Sequence, residues 1–193
     1  MSILKTSQPV EPRRCAWCGD DELYVAYHDS EWGVPVHDDT TLFELLTLEG
    51  AQAGLSWLTV LRRREGYRRA FQGFDPEVVA AMDEKRVQAL LADPGVIRHR
   101  QKLDSVVTNA RAVLALRSRE DVTSFSDYVW ALGTRDPDGT AGATFMSKQL
   151  VRDGFKFVGP TICLSFMQAS GMRNDHTPEC FRYDEIESLR SST

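Results

Sequence analysis

Long hydrophobic runs are missing from this chain of 193 residues: no apolar stretch reaches the roughly 18 residues of a membrane span, so membrane insertion is not expected. The opening residues, MSILKTSQPVEPRR, lack an apolar core followed by a small-residue cleavage site. They read as a frayed tail, and a cytoplasmic location follows. Cysteine is scarce. The four present, Cys15, Cys18, Cys163 and Cys180, fit metal ligands or buried thiols in a reducing compartment better than two disulfides. A chain of this length can bury a core without such crosslinks. Alternating β patterns are almost absent outside short stretches such as Leu23 to Tyr27, and no internal repeat is present.

Helices with caps fill the rest, an all-α plan. Asp39 can cap a helix from about Thr40 to Ala53, and Ser56 can cap one running through Trp57 and Leu61 toward Phe71. Asp75-Pro76 pairs a cap with a proline at the first helical position, and short helices fit Glu77 to Met82 and Glu84 to Ala92. An amphipathic helix is predicted from about Arg98 to Arg117, with others at Ser124 to Leu132, Ala143 to Arg152 and from Pro160 to near Gly171. Gly133 to Gly142 is the one clear loop, rich in turn formers and expected to be mobile. It is too short to separate domains. We expect one domain over 14–183, with two helical lobes (about 40–143, and 14–39 with 144–183) and tails at 1–13 and 184–193.

The formal charge of −5 disfavours a polyanionic partner only if charge is evenly spread. Residues 60–120 carry 13 Lys and Arg against 8 Asp and Glu, whereas the remainder carries 10 against 20. Arg62, Arg63, Arg64, Arg68 and Arg69 cluster, as do Arg98, His99, Arg100 and Lys102, which suits phosphate contact or, equally, solvated helix faces.

Three constellations carry chemistry. Gly154 and Gly159 flank a short turn before a helix opening at Pro160, a helix-hairpin-helix pattern; free amides at that helix start suit a phosphate, Gly159 allows close backbone approach, and Lys156 adds charge. A plain turn between packed helices explains the same pattern. Leu42, Leu45, Leu46, Glu49 and Ala53 share one helical face, which turns the Glu49 carboxylate toward the core. Such a group has a partner or a task. Trp17, Tyr24, Tyr27, Trp32 and Trp57 lie close in sequence, and five aromatics beside a buried acid describe a pocket for a flat, electron-poor ring. Lastly, Cys15 and His28 near the start, with His176 and Cys180 at H-x3-C spacing near the end, match one structural zinc ion if the fold brings the ends together. Cys18 is a competing ligand or an inert thiol, and Cys163 belongs to the core.

Cys15-Ala-Trp17, Leu23 to Asp29, Glu31-Trp-Gly-Val-Pro35, Leu48 to Trp57, Ile97 to Arg100, Gly154 to Gly159 and Asn174-Asp-His176 together resemble the 3-methyladenine DNA glycosylase I family of the helix-hairpin-helix glycosylases. The resemblance spans nearly the whole chain. It implies an all-α helix-hairpin-helix glycosylase fold with zinc joining the terminal segments, and monofunctional hydrolysis of 3-methyladenine from alkylated double-stranded DNA. Glu49 then reads the adenine amino edge and Trp57 stacks on the flipped base, with Tyr27, Tyr24 and Trp17 completing the pocket. Leu55 is a candidate wedge for the vacated gap, or a core residue. Asp175 stands near the place where wider relatives keep a catalytic aspartate, but its neighbour His176 is assigned to zinc. A monomer needing no protein partner is expected. The rival reading is a non-catalytic, zinc-stapled helical module that binds nucleic acid.

Overall fold

The computed structural model describes residues 12–135 and 140–192. Most of the expected N-terminal tail and the centre of the expected loop, 136–139, lie outside the described residues. Among those described there is no strand, and no helix is long and apolar enough to cross a membrane.

Eleven α-helices succeed one another among the described residues: α1 Glu22–Ser30, α2 Asp39–Gln52, α3 Trp57–Leu61, α4 Arg64–Ala70, α5 Pro76–Ala80, α6 Glu84–Leu90, α7 Arg100–Arg117, α8 Phe125–Gly133, α9 Thr140–Arg152, α10 Pro160–Ala169 and α11 Tyr183–Ser191. Local chemistry sets most of their starts. Ser56, Asp75, Asp83 and Ser124 each accept a backbone N–H of the helix they precede, and Pro76 and Pro160 stand at first positions where no donor is needed.

Four details depart from the sequence reading. Leu23 to Tyr27 is helical, because the Asp21 carboxylate accepts from the amides of Leu23 and Tyr24 and opens α1. α2 is capped one residue earlier, by Asp38, which accepts from Thr41 N at 2.8 Å. Asp39 instead reaches across the fold to the amides of Phe125 and Ser126 and to Arg117, fastening α8 and α7 to the start of α2. The helix expected from Ser56 to Phe71 breaks at Arg62-Arg63 into α3 and α4. The residues after Tyr183, expected as a tail, form α11, whose Ile186 is wholly buried and packs close to Gly33.

α2 runs through the centre, with every residue from Leu42 to Ala51 buried and α3, α7, α8 and α10 packed around it. The terminal segments close over one end. Val36 N donates to Ser170 O at 3.1 Å, Trp130 Nε1 to Val36 O at 2.8 Å, and Phe181 N to Arg13 O at 2.9 Å. Gly171 makes this closure possible. Its φ of +77° and the absence of a side chain let it lie on Pro35, whose backbone N stands 2.5 Å from where a Cβ would be. Gly171→Ala is expected to lower the unfolding free energy by about 2–3 kcal/mol, measured by urea titration, since it adds both strain and overlap.

Candidate active site

The C-terminal half of α2 delivers Glu49 to the floor of a cavity of about 480 Å³. Trp17, Tyr24, Tyr27, Trp32 and Trp57 all line it, so the structure gathers the five aromatics around the acid as expected. α1 contributes Tyr24 and Tyr27, three residues apart on one face, and α3 begins with Trp57. The rings support one another: Trp17 lies 5.0 Å from Tyr24 and 4.7 Å from Trp32, and Tyr27 lies 5.4 Å from Trp57, between centroids.

Glu49 is 4% exposed and receives no hydrogen bond or ion pair from the described residues. Burial alone drives its carboxyl up to about 8. Glu44, one and a half turns earlier and nearly as buried, pairs with both Arg64 and Arg68. Of the two buried acids on α2, one is neutralised and the other is kept free in a cavity. The negative charge of Glu49, after burial, also holds the Tyr27 phenol well above its ordinary range. Trp57 Nε1 is buried without an acceptor, a further unmet polar group beside the cavity.

Four polar residues not assigned from the sequence also face this space: Gln52, Ser165, Gln168 and Asp175. Asp175, the residue of uncertain role, accepts from Arg173 at 2.7 Å and from the Gln168 amide, so both its oxygens are engaged. Periodicity could have found Gln52, which follows Glu49 by three positions, and Asp175 is marked by its place along the chain; nothing in the sequence marks Ser165 or Gln168.

Beside the cavity, Cys15, His28, His176 and Cys180 meet, all buried, with ligand atoms within 4.8 Å of one another. His176 Nδ1 lies 3.5 Å from Cys15 Sγ and 3.4 Å from Cys180 Sγ, and His28 Nε2 lies 3.4 Å from Cys180 Sγ. The edges of a tetrahedron with metal–sulfur and metal–nitrogen bonds of about 2.3 and 2.0 Å measure roughly 3.3–3.8 Å, so the donors fit a four-coordinate ion. The outward ring nitrogens are both held: His28 Nδ1 by Asp29 at 2.8 Å, His176 Nε2 by the Trp32 carbonyl at 3.1 Å. This fixes the tautomers so that lone pairs face the thiols. Arg14 in turn grips Asp29. Cys18 is buried but outside the cluster, its thiol near Gly19 O, and Cys163 is in the core.

At the end of α2 the chain turns through Gly54 (φ +78°) and exposes Leu55, which is 41% accessible. A cleft of about 210 Å³ runs from Glu49 and Gln52 past Leu55 to Thr161 and Ile162 at the start of α10. Lys156 is exposed on the segment between α9 and α10; a Cβ at Gly159 would meet nothing within 4 Å. No side chain caps α10. The expected basic clusters are largely spent on internal pairing: Arg64 and Arg68 hold Glu44, Arg62 pairs with Asp21, Arg100 with Asp104 and Glu84, and Lys102 is buried.

An unpaired acid beneath a cage of aromatic rings, on an all-helical frame, defines a protein that receives a flat, positively polarised ring. Comparison with known proteins agrees with that class. The model of the methyladenine glycosylase family matches residues 17–183. DNA-3-methyladenine glycosylase 1 of Escherichia coli (strain K12) is 48% identical, over 88% of this chain and 96% of that protein. The DNA-3-methyladenine glycosylase of Haemophilus influenzae is 42% identical, over 86% and 96%. The solved structure of 3-methyladenine DNA glycosylase I from Staphylococcus aureus superposes with a TM-score of 0.82 at 37% identity, over 88% of this chain and 96% of that one. The chain belongs to the methyladenine glycosylase family.

Proposed function

We propose that this protein is a monofunctional base-excision glycosylase that hydrolyses the N-glycosidic bond of 3-methyladenine in alkylated double-stranded DNA. The observation that carries this reading is Glu49, a buried carboxyl without a partner, facing a cavity walled by aromatic rings. Methylation at N3 leaves the purine cationic and its bond to the sugar weak, so little acid catalysis is required. The extruded base stacks on Trp57 between the other rings while Glu49 accepts from its amino edge. Water then adds its oxygen to C1′ as the C1′–N9 bond breaks. The bonding pair leaves with the purine, which departs neutral, and the surplus proton of water passes to solvent. The cavity lining contains no lysine to attack the sugar, so the strand stays intact with an abasic site.

Leu55 is read as the wedge that fills the vacated gap; its exposure and its place on the cleft beside Glu49 support this. The segment 153–159 is read as a DNA-binding hairpin, with Gly159 and the uncapped amides of α10 receiving a phosphate and Lys156 adding charge. Two thiolates and two imidazoles suit one structural zinc ion, and four protein ligands leave no open position for catalysis. When bound, the ion would tie the terminal segments together. We take 14–191, with α11 included, as one functional domain working as a cytoplasmic monomer.

Incubation of the protein with methylated duplex DNA, followed by chromatography of the released bases, tests the activity. Free 3-methyladenine and alkali-labile but uncut strands are the expected products; no released methyladenine would refute the reading.

A further inference from the structure

The reading above gives no task to the long helix α7, yet two of its buried polar side chains reach into the elements assigned to DNA. Lys102 is 8% exposed and donates to the carbonyls of Ala51 at 2.9 Å and Ala53 at 2.6 Å, at the end of α2. Among the described residues no carboxylate pairs with it. A buried cation held by two helix-end carbonyls fixes where α2 stops and the Gly54-Leu55 turn begins. Asn109 grips the other element from both sides: its amide donates to Lys156 O at 3.0 Å and its carbonyl accepts from Lys156 N at 2.7 Å. Seven residues along a helix amount to about 10 Å and nearly two whole turns, so both side chains leave the same face.

A third contact closes the triangle. Gly50 lies so near the hairpin that a Cβ there would stand 3.1 Å from Phe157 O. Phe157 itself has a φ of +53°, an uncommon conformation for an aromatic residue that its surroundings must hold in place. The turn of Leu55 and the turn of Lys156 are therefore anchored to one helix, and the 153–159 segment lies against α2 at Gly50.

We propose that Lys102 and Asn109 are positioning residues for DNA engagement, setting the separation between the Leu55 turn and the 153–159 hairpin so that wedge and phosphate site meet one duplex in register. The inference rests on the glycosylase reading. Neither residue lines the base cavity, so selection of the base is left to Glu49 and the rings.

The test compares Lys102→Met and Asn109→Leu with the unaltered, metal-loaded full chain in two binding assays. One uses duplex DNA with a stable abasic-site analogue; the other uses free 3-methyladenine, followed by tryptophan fluorescence. Each variant is expected to lose about tenfold or more in duplex affinity and in kcat/KM for base release. Affinity for the free base should stay within about twofold, because the cavity is not touched. A parallel loss in both assays would mark the two residues as merely structural and overturn the proposal, as would unchanged duplex affinity. If the unaltered chain releases no methyladenine and binds neither probe, the glycosylase reading fails and this inference falls with it. Activity in the unaltered chain with equally active variants defeats the inference alone.

Discussion

Glu49→Gln is expected to lower release of 3-methyladenine by about 100- to 1,000-fold, leave binding to undamaged duplex nearly unchanged, and make the protein more stable above neutral pH. The three effects have one cause. With its carboxyl raised to about 8 by burial, Glu49 holds a proton in the empty cavity at pH 7. Arrival of a cationic purine supplies the charge that lets the proton go, and the carboxylate then faces the cation where water is excluded. Glutamine can still accept a hydrogen bond but brings no charge. A nucleic-acid-binding module without catalysis would have no such dependence, so equal loss of duplex binding and base release, with the fold intact, would favour that rival.

The sign of the stability effect follows from linkage. Between pH 4.5 and about 8 the folded protein keeps a proton on Glu49 that the unfolded chain has already released. Stability therefore falls as pH rises through this window, by on the order of 4–5 kcal/mol in all. Glutamine has no such penalty. Melting temperatures of the two proteins should nearly coincide at pH 4.5 and differ by about 8 °C or more at pH 8.5, with the variant higher. A variant less stable at pH 8.5 would mean that the carboxylate has a partner, contrary to the free group described above. Both proteins keep the Cys and His cluster, so its own pH dependence cancels in the difference.

On the zinc reading proposed above, chelating the ion held by Cys15, His28, His176 and Cys180 is expected to have the second large effect. Structural zinc sites contribute about 10 kcal/mol or more where folding depends wholly on the ion. Here the core helices have apolar faces of their own, so the loss should be regional. After chelation, amide protection should collapse first over residues 12–35 and 172–191, while α2, α7 and α10 stay protected. The base cavity should loosen with those segments. Trp17 packs on His28 at 5.3 Å, Trp32 packs on His176 at 4.6 Å, and the Trp32 carbonyl accepts from His176 Nε2. Free-base affinity should therefore fall although Glu49 is untouched. Unchanged protection of both terminal segments would refute the stapling role.

Most of the helical plan was legible because caps are local chemistry: Ser56, Asp75, Ser124 and Pro160 each mark a start that the structure keeps. Where two candidates adjoin, as at Asp38 and Asp39, sequence cannot tell which one a distant helix will claim, and Asp39 is claimed by α8. The break at Arg62-Arg63 has no glycine or proline to announce it. The acid and its rings could be read from helical spacing and aromatic density. Helical spacing is only part of why Glu49 is hidden: α2 is buried on all sides, so Glu44 and Thr47 are hidden as well. What sets Glu49 apart is that arginines from α4 reach Glu44 and none reaches it. That is a tertiary fact about residues some 20 positions away, invisible to any local pattern. The same holds for Lys102, which reads as part of a basic patch and proves to be a buried anchor.

The internal pairing of the arginines bears on how such a protein would search a genome. Of the arginines and lysine in the basic clusters at 62–69 and 98–102, only Arg63, Arg69 and Arg98 are without an acidic partner and not buried among the described residues, in a chain whose formal charge is −5. With the other arginines of those clusters held by acidic groups inside the fold and a net negative charge, the hold on ordinary duplex is expected to be weak. Each encounter is then brief. On the reading proposed here, dwell time at a site comes from the cavity accepting a charged base, and an intact stretch of DNA, offering none, is released almost at once.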